Sequence, residues 1–155
     1  MWNTEIKSVT PLLPRKYTKA DIIALLKYYY PHEWQSVESK YKYYRTKDKY
    51  LKRRFGKSRY NMSEPELLIQ RVSAFKKIFS ESYKCAHWNA YSERSRVDSS
   101  VKLWEARKSK IDRINSKIEI ALSKTQQVTP SFINQLIGLY ERCLLYTSDA
   151  ADDKA

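Results

Sequence analysis

Residues 31–55 read PHEWQSVESKYKYYRTKDKYLKRRF. Within them Trp34, Val37, Tyr41, Tyr44, Asp48, Leu51 and Phe55 recur at alternating spacings of 3 and 4. Six of these seven positions are apolar or aromatic, which is the heptad stripe of a long helix that packs along one seam. Pro31 suits the first turn of that helix, where an N–H would lack an intrahelical partner in any case. Gly56 is placed to close it in a left-handed cap.

The flanking segments extend the helical reading in both directions. Upstream, Thr18 reads as an N-cap with Asp21 three residues on, ahead of the apolar face of Ile22, Ile23, Leu25, Leu26 and Tyr29. Pro31 ends this helix by pushing the residue before it out of the α region. Residues 1–17 read as an irregular, mildly basic arm, because Pro11 and Pro14 bracket Leu12–Leu13 and bar a helix through them. Downstream, Ser63-Glu64-Pro65-Glu66 predicts a capping box for a third helix reaching about Arg94, with Leu68, Val72, Phe75, Phe79, Tyr83 and Ala86 as its buried stripe. Asp98, Ser99 and Ser100 are alternative caps for a fourth helix with the seam Val101, Trp104, Ile111, Ile114 and Ile118. Thr129-Pro130 opens a fifth, with Phe132, Ile133, Leu136, Ile137 and Tyr140 inward. Nothing reads as a strand, and with glycine only at positions 56 and 138 a fold of many tight turns is excluded. The expectation is an all-α protein, an irregular and somewhat elongated bundle of four to five helices.

The last residues carry a different signal. Cys143 to Asp152 follow from the codons TGT CTC TTA TAC ACA TCT GAC GCT GCC GAC, and residues 143–153 resemble the translation of a transposase adapter used in preparing sequencing libraries. That resemblance implies a non-native tail over 143–155, a gene assembled from environmental or draft sequence, and a native chain interrupted near Arg142. It leaves 1–17 as the arm and 18–142 as a single helical domain. Without the tail, 29 basic and 14 acidic residues remain, a net charge of +15 against +13 for the whole chain.

The excess of positive charge is concentrated. Lys40, Lys42, Arg45, Lys47, Lys49, Lys52, Arg53, Arg54, Lys57 and Arg59 fall within one stretch whose only acid is Asp48. Tyr43 and Tyr50 lie seven apart and off the apolar seam, placed to stack on bases or to donate to phosphates. A cation cluster of this size gives salt-sensitive binding to DNA or RNA, mainly through the backbone. These twelve residues are therefore the expected nucleic-acid-binding site of a non-enzymatic accessory protein. A short, Lys- and Tyr-rich, Gly-poor chain also suits a phage or mobile-element gene. The alternative is a protein–protein interaction or scaffold module that docks or self-associates through its helical seams.

No catalytic, cofactor or metal site is expected from the residues. Cys85, His87 and His32 supply three zinc ligands at most, without finger spacing. Ser99-Ser100-Val101-Lys102 matches a bare Ser-x-x-Lys pattern that a helix cap explains better. Glu64 and Glu66 belong to a cap. The chain shows no apolar run of membrane-spanning length and no signal-peptide pattern at Met1–Thr10, and its two cysteines form no pair motif, so a cytoplasmic protein is expected.

Overall fold

The structure, a computed structural model, describes residues 2–124 and 130–145. Among them the chain forms eight α-helices and one 3-10 turn, and no strand. The helices are α1 (Trp2–Val9), α2 (Lys19–Tyr29), α3 (Pro31–Phe55), α4 (Pro65–Gln70), α5 (Ser73–Ile78), α6 (Glu81–Ala90), α7 (Glu93–Ser123) and α8 (Pro130–Leu145), with the 3-10 turn at Thr10–Leu12. The all-α expectation holds, while the helix count exceeds the four to five expected.

The extra helices have identifiable origins. The arm expected over 1–17 is mostly helical, because Trp2, Ile6 and Val9 share one face and bury it. Pro11 does not oppose this helix. It follows α1 and sits in the 3-10 turn, whose last residue Leu12 is buried beside Leu13. The third helix is broken twice. Its stripe advances over three short helices, with α4 ending at Gln70, Val72 extended, and Ser80 restarting the chain by accepting from the Tyr83 N–H. Ser63 does not cap α4, whose N-cap is Glu64 without a side-chain hydrogen bond. The fourth helix starts earlier than Asp98, with Ser92 as its cap. The Thr129 cap, the Phe132 side chain and residues 146–155 lie outside the described residues, and α8 runs through Cys143–Leu145.

Two local signals resolve as read. Thr18 and Asp21 form a reciprocal capping box, and Gly56 closes α3 at φ 70°. The break between α2 and α3 falls at Tyr30, with Pro31 first in α3.

One core joins these pieces. Ile6, Val9 and Leu13 from the N-terminal segment meet Ile22 and Leu26 of α2, Trp34 of α3, Ile69 of α4 and Phe75 of α5. The Trp2 and Trp34 rings meet edge to face at 5.9 Å. The heptad seam of α3 enters this core only at its start. Trp34 is buried and Val37 half-buried, Tyr41, Tyr44, Asp48 and Leu51 are half-buried, and Phe55 is exposed. The distal half of α3 thus extends away from the main core.

Asp48, the one charge in that seam, has a defined task. Its Oδ1 accepts from the N–H groups of Arg59 and Tyr60, each at 2.9 Å, and its Oδ2 from Asn61 at 2.7 Å. Asn61 takes a left-handed backbone at φ 44°, a conformation asparagine tolerates. The Tyr60 ring packs on Tyr44 at 4.7 Å. The carboxylate therefore ties the returning chain to the middle of α3. The Tyr60 amide, with those of Arg59 and Asn61, holds the Asp48 pKa below its ordinary value. A depressed carboxylate pKa contributes stability that is present above the unfolded value and lost as pH falls through the folded one. Amide-exchange protection at 59–61, corrected for intrinsic rates, should persist at neutral pH and fade only below the ordinary aspartate range. Asp48→Asn should remove most of that protection at every pH, and leave Ile22 and Leu26 in the core unaffected.

Candidate functional site

The break between α2 and α3 exposes a problem in hydrogen bonding that the fold solves with charge. A helix end leaves carbonyls without intrahelical partners. The Tyr29 carbonyl at the end of α2 accepts from Arg107 Nε of α7 at 2.8 Å. The same guanidinium lies 4.2 Å from the centre of the Tyr30 ring and donates from Nη2 to Glu33 Oε1 at 2.7 Å. Glu33 belongs to the first turn of α3, where the helix dipole favours an acid. Lys110, one turn further along α7, reaches the same oxygen at 3.5 Å. Arg107 and Glu33 retain only 8% and 5% of their side-chain exposure, so their attraction acts with little solvent screening.

Further titratable groups gather round this pair. Burial pushes the Glu5 pKa up from α1 and pulls the Lys110 pKa down, with the neighbouring Arg107 also lowering the latter. Glu5 Oε2 and Glu33 Oε2 are buried without hydrogen-bond partners among the described residues. His32 and Tyr140 close the side towards α8. The Tyr140 hydroxyl lies 2.9 Å from the His32 carbonyl, 3.1 Å from Gln35 Oε1 and 3.3 Å from His32 Nδ1. Having one proton, the hydroxyl donates to one of these acceptors, and the direction of its contact with the imidazole nitrogen follows the His32 tautomer. Burial raises the Tyr140 pKa to about 12 and lowers that of His32. Tyr140 thus remains a neutral phenol that pins α8 against α3.

Beside Tyr140 a cleft of about 310 Å3 opens between α3, α7 and α8. Its walls combine apolar Ile118, Leu136 and Ile137 with polar Gln35 and Ser39. Among the described residues Glu141 is the only charged one in its lining. The arrangement suits a small uncharged or cationic group and opposes an anion.

The twelve residues expected to bind nucleic acid lie elsewhere. Lys40, Lys42, Tyr43, Arg45, Lys47, Lys49, Tyr50, Lys52, Arg53 and Arg54 line the distal half of α3, and Lys57 and Arg59 the turn after it. All are exposed, and none joins an ion pair among the described residues. Several pair with their own tyrosines, Lys47 Nζ lying 4.6 Å from the Tyr43 ring and Arg54 Nη1 2.5 Å from the Tyr50 hydroxyl. The structure brings the twelve together as a solvated rod and not as a concave site. Cys85 is exposed. Sequence reasoning missed the Glu33–Arg107 pair, although a signal existed: Trp104, Arg107, Ile111, Ile114 and Ile118 keep the alternating 3 and 4 spacing of the α7 seam. A charge at a seam position marks a buried partner.

No family model and no solved structure matches the chain. Over 137 residues it is 26% identical to a Cytobacillus dafuensis protein named as a cyclic ADP-D-ribose synthase, TIR2, and the match covers 88% of this chain and 36% of that protein. The chain therefore spans about a third of the length of the curated relative it matches. This likeness to a protein named for an enzymatic activity overturns the expectation of a non-enzymatic, nucleic-acid-binding accessory protein. The physical reason for that error is that positive charge is a long-range and unspecific attribute. It describes which surfaces are repelled and leaves the chemistry open.

The buried pair offers a direct test of what joins α7 to the α2–α3 break. Arg107→Ala leaves a buried carboxylate and the Tyr29 carbonyl without their partner, and should destabilise the chain by about 3–5 kcal/mol in urea titrations followed by helical circular dichroism. Glu33→Leu combined with Arg107→Met should cost well under the sum of the two single changes, since no uncompensated partner of the pair is left inside.

Proposed function

We propose that this chain is the helical portion of an enzyme forming a cyclic ADP-ribose product. The observation that carries this reading is the similarity to the TIR2 protein over nearly the whole chain. Cyclic ADP-ribose is NAD+ from which nicotinamide has departed. The bond between ribose C1′ and the pyridinium nitrogen breaks, and a bond from C1′ to an adenine nitrogen forms. No oxidant or reductant takes part. Water is the competitor, since its attack at C1′ gives linear ADP-ribose instead. Such an enzyme needs rigid walls that hold a folded dinucleotide away from solvent.

The described residues fit the role of such a wall. The Arg107–Glu33–Tyr29 tie fixes α7 against the α2–α3 break, and Tyr140 fixes α8 against α3. The α3–α7–α8 cleft is at the small end for a dinucleotide and carries an acid where a pyrophosphate would need cations. In this reading the cyclising centre is completed by the part of the longer protein that this chain does not span. The reading of residues 143–153 as a library adapter stands with it as a proposal, and directs the test to the uninterrupted gene.

Protein expressed from that gene, and the 155-residue chain beside it, would be incubated with NAD+, with nicotinamide and nucleotide products separated by liquid chromatography and weighed by mass spectrometry. The expected result is nicotinamide and cyclic ADP-ribose in equal amounts from the longer protein. Consumption of no NAD+ by either protein rejects the reading, as does hydrolysis to linear ADP-ribose alone.

A further inference from the structure

A second cleft lies between α1 with its 3-10 turn and the α5–α6 pair. It encloses about 370 Å3, within the range of small-molecule sites. Lys7 stands on one wall and Lys77 on the other, with Ala74 and Ile78 as an apolar floor. Tyr83 and His87, one helical turn apart on α6, form the remaining side. No acid lines it, and neither lysine takes part in an ion pair among the described residues.

The wall is built and not merely gathered by chance at a surface. His87 Nε2 lies 3.0 Å from the Pro14 carbonyl and so carries the proton it donates there. The Tyr17 ring meets His87 edge to face at 5.1 Å and donates its hydroxyl to the Ile78 carbonyl at 2.5 Å. Asn3 Oδ1 accepts from the Ala74 N–H at 3.0 Å, joining α1 to the start of α5 beneath the floor. Burial raises the Tyr83 pKa, so its phenol keeps its proton and remains a donor at neutral pH. Two cations, a phenolic donor and an apolar floor on a braced frame are the elements that recognise a phosphate joined to a flat apolar group.

Two other concave sites lack this combination. Among the described residues the α3–α7–α8 cleft has Glu141 and no cation. In the groove between α2 and α4, Lys27 is already paired with Glu66 at 2.9 Å and Lys19 reaches Gln70 at 3.3 Å. The cations of distal α3 project from a convex rod.

We infer that the Lys7–Lys77 cleft binds a phosphate-bearing nucleotide of the ADP-ribose type. The anionic, partly apolar class of ligand follows from the cleft itself, and the ADP-ribose identity rests on the proposed function. The cleft then serves as a nucleotide site within the helical portion, apart from the cyclising centre.

Calorimetric titration of the 155-residue chain with ADP-ribose, adenosine and inorganic pyrophosphate tests this without any turnover. ADP-ribose should bind, and adenosine and pyrophosphate should each bind at least tenfold more weakly, because each carries only half of the recognised chemistry. Lys7→Gln with Lys77→Gln should weaken ADP-ribose at least tenfold, while Lys52→Gln with Arg53→Gln on the distal rod should change it less than twofold. All four side chains are exposed, so these variants retain the fold. Equal binding of adenosine overturns the anionic assignment. Equal binding of pyrophosphate overturns the nucleotide assignment. Undiminished binding by the Lys7/Lys77 variant overturns the location. A chain that binds as expected although the longer protein makes no cyclic product would separate this site from the proposed enzymatic activity.

Discussion

The interaction on which the arrangement depends is the reach of Arg107 from α7 to both sides of the α2–α3 break. A chain that must turn at Tyr30–Pro31 leaves the carbonyl of Tyr29 at the end of one helix and the carboxylate of Glu33 at the start of the next. One guanidinium satisfies both, at 2.8 and 2.7 Å, because its donors diverge from a planar fork. Lysine offers a point charge and could not span the two acceptors in the same way. Arginine at this position thus converts a discontinuity of the main chain into a junction among three helices.

A buried ion pair is weak ground for stability in itself, since removing both charges from water costs about as much as their attraction returns. Its effect lies in geometry. The apolar packing of Leu103 of α7 against the core is non-directional and would tolerate some rotation of α7. The Arg107 fork fixes one axial position and one rotation. Lys110 on the next turn and Tyr140 on α8 are placed by consequence, and the cleft beside Tyr140 inherits its shape from them.

Much of this fold was legible because local chemistry and tertiary packing agree. The Thr18–Asp21 box, the restart at Pro31 and the cap at Gly56 need only residues within one turn of each boundary, and all are present. The N-terminal arm was misread because two prolines outweighed the shorter apolar pattern of Trp2, Ile6 and Val9, which pays its helical cost only when a core is there to receive it. The single third helix was misread for a related reason. Its stripe has helical spacing throughout, but short helices joined by extended Val72 and capped by Ser80 serve the same apolar face while bending the chain. The candidate site was less legible still. Asp48 stood out as a charge in a seam, while Arg107 was passed over at an equivalent position among isoleucines. Each turns out to satisfy main-chain groups at a bend: Asp48 takes three N–H groups of the returning loop, and Arg107 a carbonyl at the helix break.

That parallel separates two kinds of cation in a chain with thirty of them. Arg107 and Lys110 are largely withdrawn from solvent, where charge must be matched and therefore determines structure. The cations of distal α3 are solvated, pair with the rings of their own helix, and could be altered with little effect on the core. Net charge sums the two kinds and is dominated by the second. The number that is loudest in the sequence is therefore set by residues the fold does not require, while one buried arginine, invisible to any sum, decides how the helices meet.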